Sequence, residues 1–358
     1  MIIIKVMGGL GNQMQQYALY EKFRSMGKEA SLDISWFEDS MQQENVLARR
    51  ELELRLFDKL EFRVCTPKEK EALLGKGNLL GKVARRLNPK RYRHFQESDM
   101  YHPEIFTLTD CYLEGHWACE KYYGDILSLL REKIRFPHSL EQNYIEYSGY
   151  SGTKEENFVE KLKNSKNKTE KEENNENRQN EEGIIYEKFD DRQNIEKNQN
   201  NKNINIKNQM KTENSVSIHI RRGDYLDPAN AGMFGGICTE EYYNSAERYI
   251  RERVKDAHFY LFSDDTAYLE QNYHGREYTI VDWNKGRDSF YDMELMSYCK
   301  HNICANSTFS FWGARLNGTE DKMMIRPARH KNGQEIDPVR MHELWRDWVL
   351  IDEKGKVI

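Results

Sequence analysis

An asparagine-rich polar segment divides this 358-residue chain into two blocks that can each build a hydrophobic core. Residues 164–214 contain 14 asparagines in 51 positions, and residues 151–214 carry 13 basic and 14 acidic side chains. Such a segment cannot bury enough apolar surface to offset the entropy lost on ordering. We therefore predict a disordered insertion over 151–213, between blocks at 1–150 and 214–358. A partner-binding or membrane-surface segment is the alternative, and the absence of an amphipathic stripe argues against the membrane.

The insertion also accounts for the low mean hydropathy of −0.90. The formal net charge of −5 argues against a nucleic-acid binder, whose domain is normally basic.

No run of 18 apolar residues occurs, so we expect at most a peripheral association with membranes. The apolar start Met1–Val6 lacks the basic region and cleavage site of a signal peptide, and no cysteines form a CxxC pair. These features predict a cytoplasmic protein with six reduced cysteines.

Both blocks open with an apolar strand that ends in a polar loop. Ile2–Val6 leads through a glycine turn into a helical stretch at Asn12–Met26, and Ser215–Ile220 is the corresponding strand of the second block. Further candidate strands are Ala30–Ile34, Cys111–Leu113, His258–Phe262, Tyr278–Val281, Asn302–Ala305 and Met323–Ile325. Strands that alternate with helices, notably Thr239–Lys255 and Ser289–Tyr298, predict parallel sheets in both blocks. Two such α/β domains would bind ligands in the cleft at the carboxyl ends of their strands.

The first motif is the loop Gly8-Gly9-Leu10-Gly11-Asn12-Gln13, between a strand and a helix. Glycines allow the backbone to approach a phosphate, and the amide groups of a helix N-terminus favour anions. A dinucleotide-binding turn, with Asp33 on a ribose, is one alternative, but Met14 stands where that pattern needs glycine or alanine. A plain structural turn is the other. The Asn and Gln side chains favour a polar ligand that the loop contacts directly.

The second motif is His219-Ile220-Arg221-Arg222-Gly223-Asp224-Tyr225, at the end of a strand. Alternate residues of a strand share a face, so His219 and Arg221 point the same way. Adjacent arginines are costly at a strand end unless they meet anions, and a guanidinium can bind phosphate oxygens bidentately. One arginine can hold a pyrophosphate while the other pairs with Asp224 or a neighbouring loop. A structural Arg–Asp pair without a ligand is the alternative.

The third motif, Phe262-Ser263-Asp264-Asp265, also ends a strand. Its carboxylates could bind a metal, although no DxD pattern is present, or accept hydrogen bonds from a guanine base. A solvated loop explains the spacing equally well.

The fourth motif, Asn306-Ser307-Thr308-Phe309-Ser310-Phe311-Trp312-Gly313-Ala314, follows the strand Asn302–Ala305 and should begin a helix. Ser307, Thr308 and Ser310 offer hydroxyl and amide groups at the helix N-terminus, which is again suited to an anion. We expect the aromatic residues of this motif to pack in the core.

These motifs, in this order, resemble the bacterial α-1,2-fucosyltransferase family, a glycosyltransferase family 11-like group that shares its pattern with blood-group-type eukaryotic enzymes. The segment Gly115-His116-Trp117…Glu120-Lys121-Tyr122 is similar to a further element of that family. The resemblance extends from Met1 to about Trp348, apart from the insertion. Gln15 is a departure, because the family usually has phenylalanine there.

The resemblance implies a GT-B-type fold, with two Rossmann-like domains facing a cleft. It implies inverting transfer of L-fucose from GDP-fucose to the 2-hydroxyl of a terminal galactose, with no metal or other cofactor. Arg221 is expected on the diphosphate, and His219 and Asp265 near guanine. The N-terminal domain should supply most of the acceptor site. The full set of expected donor-binding residues is Gly9, Gly11, Asn12, His219, Arg221, Arg222, Asp265, Ser307, Thr308 and Ser310.

Arg221 and Asp224 are the catalytic candidates that the resemblance implies. Arg221 would stabilise the charge that accumulates on the leaving GDP. Asp224 can either orient Arg222 or accept the proton of the acceptor hydroxyl. The alternatives are a related transferase with another nucleotide sugar or linkage, and an inactive nucleotide-sugar-binding protein. The intact Asn12, His219 and Arg221 argue against inactivity.

Overall fold

The computed structural model describes residues 1–38, 43–44, 49–57, 60–75, 93–98, 101–136, 198–333 and 337–358. Two compact units are present. One comprises Met1–Pro137 and Met210–Ile358, and the other comprises His138–Gln209. Within the second unit the described residues are 198–209, and they are helical.

Part of the asparagine-rich insertion is an ordered helix, over residues 198–212. Ile206 and Met210, one helical turn apart, are buried. The prediction of disorder is therefore wrong for this stretch, because a few apolar residues at helical spacing outweigh the polar composition around them. The remainder of the predicted insertion lies outside the described residues.

The N-terminal sheet has the strand order β2-β1-β4-β3, and its pairings are all parallel, as predicted. Its strands are β1 (Ile2–Lys5), β2 (Ala30–Asp33), β3 (His94–Gln96) and β4 (Cys111–Glu114). Ile2, Ile3 and Ile4 are fully buried, because the central strand is covered on both faces. The described helices of this half are α1 (Leu10–Ser25), α2 (Pro67–Leu74) and α3 (Leu127–Lys133).

The C-terminal sheet has the order β10-β9-β8-β5-β6-β7, again with parallel pairings. Its strands are β5 (Asn214–Ile220), β6 (Ala257–Ser263), β7 (Tyr278–Val281), β8 (His301–Ile303), β9 (Met324–Pro327) and β10 (Trp348–Ile351). Counted from β5, the spatial order is 3-2-1-4-5-6, the order of a doubly wound nucleotide-binding sheet. The strand order reverses between β5 and β8, so a ligand crevice is expected at their carboxyl ends.

Helices connect these strands on both sides of the reversal. After the helix α4 at residues 198–212, the described helices are α5 (Pro228–Phe234), α6 (Glu240–Arg251), α7 (Thr266–Asn272), α8 (Phe290–Tyr298), α9 (Thr308–Leu316) and α10 (Pro338–Leu344). Within the described residues, no helix combines the length and apolar character needed to cross a membrane. All six cysteines are free thiols, and four are buried.

The eight predicted strands all form, whereas β3 and β10 were not predicted. The strand β3 has three residues, and its end residues, His94 and Gln96, are polar and exposed, so no apolar pattern marks it. Helix α1 begins at Leu10 instead of Asn12. Gly11 and Asn12 therefore lie in the first helical turn and not in the loop before it, a correction to the predicted turn.

Both sheets belong to one compact unit, and side chains from both contribute to one hydrophobic cluster. Trp312 of α9 donates its indole hydrogen bond to the carbonyl of Gly11 at 2.9 Å. Arg315, also on α9, pairs with Glu120 at 2.9 Å between Nε and Oε2. Helix α9 is thus the principal bridge from the second sheet to the first. The division into separate domains at residues 150 and 214 stays a prediction.

Candidate functional site

A cavity of about 640 Å³ lies at the carboxyl ends of strands from both sheets. Residues that follow β1, β3 and β4 line one side, and residues that follow β8 or end β9 line the other. The polar lining includes Asn12, Glu97, His116, Thr308, Arg326 and His330. Since carboxyl edges of parallel strands are where such folds bind ligands, this cavity is the candidate site.

The glycine loop holds Asn12 at the cavity. Gly8 has a positive φ of 81°, and a Cβ there would lie 2.7 Å from Asn12 Nδ2, so glycine lets the Asn12 amide lie over the turn. Gly9 is the N-cap residue of α1, in an extended conformation. Asn12 lines the cavity as a candidate ligand-binding residue.

Gln13 has a structural position instead. Its Nε2 donates to the carbonyls of Gly8 and Glu51, both at 2.9 Å, and its Oε1 accepts from the Leu54 amide at 3.2 Å. The side chain is fully buried. The expectation that the glutamine of this loop contacts a ligand is therefore wrong, because its amide is used to hold the loop.

His219 is buried at the end of β5, with its ring 5.7 Å from that of Phe309. Burial and the nearby positive charge of Arg221 lower the pKa of His219 to about 3, so the imidazole is neutral at pH 7. Within the described residues its Nδ1 has no hydrogen-bond partner. An unpaired buried nitrogen fits a polar ligand group that completes its hydrogen bonding.

Arg221 is held by two carboxylates. Its Nη2 lies 2.7 Å from Asp224 Oδ1, and its Nη1 lies 3.0 Å from Asp264 Oδ2. Burial opposes the charge of Arg221, but the Asp224 hydrogen bond and the charge of Asp264 raise its pKa. Asp224 therefore pairs with Arg221. The prediction that Asp224 orients Arg222 is wrong, because Arg222 pairs with Asp265 instead.

Arg222 faces the third motif. Its Nε lies 3.0 Å from Asp265 Oδ2, and its guanidinium lies 3.9 Å from the centre of the Tyr268 ring. Asp265 also caps α7 through a 3.0 Å hydrogen bond from the Tyr268 amide. The hydrogen bond from the Tyr268 amide lowers the pKa of Asp265, and the hydrogen bond from Arg222 lowers it further. This carboxylate has a structural function, and its contact with guanine stays a prediction.

Asp264 binds the backbone of the arginine loop. Its Oδ1 accepts hydrogen bonds from the amides of Arg222 at 3.1 Å and Gly223 at 3.0 Å. A Cβ on Gly223 would lie 2.6 Å from Asp264 Oδ2, so a larger residue there would have to displace this carboxylate. The second and third motifs thus form one hydrogen-bonded cluster at the ends of β5 and β6.

The hydroxyl residues of the fourth motif differ in their surroundings. Thr308 lines the cavity at the first turn of α9. Ser307 is the buried N-cap residue, and the Ser310 hydroxyl donates to the Ser307 carbonyl at 3.2 Å. Thr308 is therefore the one of the three whose side chain lines the cavity. Ligand roles for Ser307 and Ser310 stay predictions.

Glu97 is a cavity residue that sequence reasoning missed. Its Oε2 accepts hydrogen bonds from the amides of His116 and Trp117, both at 2.8 Å. A Cβ on Gly115 would lie 2.5 Å from Glu97 Cβ, so glycine permits this contact. Burial raises the pKa of Glu97. No sequence signal marked Glu97, because it follows the unpredicted strand β3.

Within the described part of the chain, no group of three or more His, Cys, Asp or Glu side chains could hold a metal ion. Asp264 and Asp265 are instead used by the arginine loop and by the cap of α7.

Comparison with known proteins gave four matches of interest. A model of glycosyl transferase family 11 matches residues 171–351. The chain is 30% identical over 337 residues to the O-antigen biosynthesis glycosyltransferase WbnK of Escherichia coli, covering 93% of this chain and 96% of that protein. It is 37% identical over 131 residues to an alpha-1,2-colitosyltransferase of Escherichia coli, covering 36% of this chain and 45% of that protein. It is 30% identical over 105 residues to galactoside alpha-(1,2)-fucosyltransferase 1 of Rattus norvegicus, covering 29% of this chain and 28% of that protein.

Proposed function

Since the chain belongs to glycosyltransferase family 11, we propose that it transfers L-fucose from GDP-fucose to the 2-hydroxyl of a terminal β-galactoside. The family resemblance indicated by the motifs is thus confirmed. The protein is a glycosyltransferase of the α-1,2-fucosyl- or colitosyltransferase type, with a nucleotide-sugar donor and a glycan acceptor. The specific donor, the galactoside acceptor and inversion at the anomeric carbon are our proposals.

The observation that carries the proposal is the meeting of the motifs around the strand-order reversal between β5 and β8. Arg221 follows β5, and Thr308 follows β8. A nucleotide diphosphate bound at this crevice would meet the Arg221 guanidinium and the amides at the start of α9. The unpaired Nδ1 of His219 supports a polar donor group at the same position.

Charge stabilisation by the protein is the proposed basis of catalysis. The leaving GDP gains negative charge as its bond to the sugar breaks, and the sugar passes through an oxocarbenium-like state. Arg221, already oriented by Asp224 and Asp264, supplies a fixed positive charge to the diphosphate. We propose that the reaction requires no metal ion.

Glu97 is the proposed general base for the acceptor hydroxyl. It lines the cavity on the side of the first sheet, and two backbone amides hold one of its oxygens. Its raised pKa makes it a better proton acceptor than an ordinary exposed carboxylate. Asp224 is less suited to this role because its carboxylate is paired with Arg221.

The cavity also supports a GT-B-type arrangement, since the carboxyl edges of both sheets contribute to its lining. In this arrangement Asn12 and His116 contact the acceptor or the transferred sugar from the N-terminal side. We further propose that the enzyme acts in the cytoplasm.

Colitose is a second donor sugar, favoured by the 37% identity to the alpha-1,2-colitosyltransferase. The two donors would share the diphosphate contacts and differ only in the sugar pocket.

The test is transfer to lactose with EDTA present. Purified protein with GDP-fucose should form 2′-fucosyllactose, identified by mass and linkage analysis. GDP-colitose is assayed in parallel. Transfer of colitose alone would replace fucose as the donor sugar, and transfer of neither sugar to any β-galactoside would refute the proposal. Loss of activity with EDTA, restored by a divalent cation, would refute metal independence.

A further inference from the structure

Arg326 is a buried arginine that has no acidic partner among the described residues. It lies in β9 with 1% of its surface exposed, and its Nε donates to the Pro327 carbonyl at 3.2 Å. Its guanidinium carbon lies 4.5 Å from the centre of the Phe311 ring and 4.2 Å from that of Trp345. Among the described residues no carboxylate is within 4.0 Å of it, and neither Nη atom makes a hydrogen bond. Such a charge is costly to bury without compensation.

The neighbouring Arg315 shows what a structural arginine looks like in this core. It is equally buried, yet its Nε pairs with Glu120 and its Nη2 donates to the Ala118 carbonyl at 3.0 Å. Burial and the positive charge of Arg315 lower the pKa of Arg326 to about 10, which leaves Arg326 charged at pH 7. The single charge of Glu120 therefore compensates Arg315, and the charge of Arg326 remains.

Arg326 lines the 640 Å³ cavity together with Lys331. Two carboxylates of the described residues also line this cavity, but backbone amides already bind both. Glu97 accepts from His116 and Trp117, and Asp337 accepts from the Val339 amide at 3.1 Å as the N-cap of α10. The group that best matches the free guanidinium edge is therefore an anion that enters the cavity from solution.

We propose that Arg326 binds an anionic group of the substrate, a phosphate or a carboxylate, within this cavity. A guanidinium binds either anion bidentately, and the burial of Arg326 between the Phe311 and Trp345 rings strengthens the contact by lowering the local dielectric constant. The phosphate source would be the diphosphate of the donor, which enters the cavity beside Thr308. The carboxylate source would be an acidic sugar of the acceptor. The inference rests on the proposed function only for the source of the anion.

The test measures anion binding directly, by isothermal titration calorimetry of the full chain with inorganic pyrophosphate, D-glucuronate and neutral D-galactose. The variant is Arg326→Met, which removes the charge and keeps an unbranched side chain. The control is Arg329→Met, because Arg329 pairs with Glu353 and does not line the cavity. We expect at least tenfold weaker binding of one anion by Arg326→Met, and unchanged binding by Arg329→Met.

The outcomes separate the two sources. Weakened pyrophosphate binding indicates the donor diphosphate, and weakened glucuronate binding indicates an acidic acceptor. Equal affinities of wild type and Arg326→Met for both anions would overturn the inference, as would a wild type that binds neither. If Arg326→Met does not fold, Arg326→Lys replaces it. Lysine lacks the planar fork, so we expect at least threefold weaker binding, and an unchanged affinity would be decisive against the proposal.

A parallel transfer assay keeps this inference distinct from the proposed function. If the wild type transfers fucose and Arg326→Met binds anions as the wild type does, the proposed function stands and the anion subsite at Arg326 is refuted. If Arg326→Met weakens anion binding and the wild type transfers no sugar, the subsite stands and the proposed function is refuted. A lowered thermal midpoint of Arg326→Met with unchanged anion affinity would show that the ring contacts alone explain this arginine.

Discussion

Gly11 of α1 lies directly against Thr308 of α9. A Cβ at position 11 would be 2.5 Å from Thr308 Oγ1 and 2.6 Å from the Thr308 carbonyl carbon. Because both residues are in the first turns of their helices, this contact brings the first and fourth motifs together. The glycine is therefore needed for helix packing beside the cavity, whereas the sequence predicted it as part of a phosphate-binding turn.

Substitution Gly11→Ala should destabilise the fold, although alanine normally favours a helix. The added Cβ meets backbone atoms of Thr308 and Phe309, so the helices must separate, at a cost of about 1–3 kcal/mol. Chemical denaturation measures this loss, and transfer activity should fall with it. The control is Gly232→Ala on α5, where an added Cβ would meet no tertiary neighbour within 4 Å among the described residues and a small gain is expected. Equal behaviour of the two variants would contradict the contact.

Substitution Arg221→Ala should reduce kcat by about 10²–10³ through the loss of charge stabilisation on the leaving diphosphate. The circular dichroism spectrum should be retained, because Arg221 is at a loop and partly exposed. Arg253→Ala is the control, since Arg253 lies on the surface beside Glu252. If Arg221→Ala retains the kcat of the wild type, Arg221 does not stabilise the leaving diphosphate.

Substitution Glu97→Gln should remove the acidic limb of the pH–rate profile. Burial raises the Glu97 pKa, so in the wild type activity should fall as the pH drops through that raised value and the base becomes protonated. The side chains of His102 and Tyr122 and the backbone amides of His116 and Trp117 face Glu97. Burial lowers the pKa of the His116 imidazole. Glutamine can still accept both amide hydrogen bonds, which separates a chemical role from a structural one.

The matched control for this experiment is Glu114→Gln at the end of β4. The hydrogen bond from His94 and the ion pair with Lys5 lower the Glu114 pKa to about 2, so it does not titrate where Glu97 does. Its substitution should leave the shape of the profile unchanged. An acidic limb that persists in Glu97→Gln would assign the base elsewhere.

Substitution Gln15→Met should stabilise the protein by about 1–3 kcal/mol. Gln15 is fully buried, and neither its Oε1 nor its Nε2 has a hydrogen-bond partner among the described residues. Methionine has a similar shape and no unpaired polar atoms. Gln13→Met is the control and should destabilise, because it loses three hydrogen bonds. A lower denaturation midpoint for Gln15→Met would show that the amide has a function in the fold.

Substitution Asp292→Asn should stabilise the protein at pH 8 but not at pH 4. Burial raises the pKa of Asp292 from 3.8 to about 7, despite a 2.8 Å hydrogen bond from Asn284. The native state therefore binds this proton more tightly than the unfolded state, and stability falls as the pH rises from about 4 through 7. Denaturation midpoints at the two pH values measure the effect. A gain that is independent of pH would contradict the shifted pKa.

The apolar runs and their spacing predicted eight of the ten strands that the structure describes in the two parallel sheets. The run Ile2–Ile4 shows why, because an inner parallel strand that is covered on both faces is apolar at consecutive positions. The paired arginines also predicted an anion-facing loop, since adjacent guanidinium groups need compensation. The helix at residues 198–212 was not predicted, because the prediction of disorder used the average composition of the segment. Two apolar residues at helical spacing change that average very little.

The sequence by itself determined the family, most of the sheet-forming segments and the loops of the four motifs, because these depend on local patterns. Only the tertiary structure decided which carboxylate pairs with which arginine, and that Arg326 has no carboxylate partner in the described part of the chain. It also brought Glu97, which follows an exposed three-residue strand, into the same cavity as Asn12 and Thr308. Such relationships depend on how distant strands and helices pack, and no local pattern in the chain encodes a distance between residues 97 and 308.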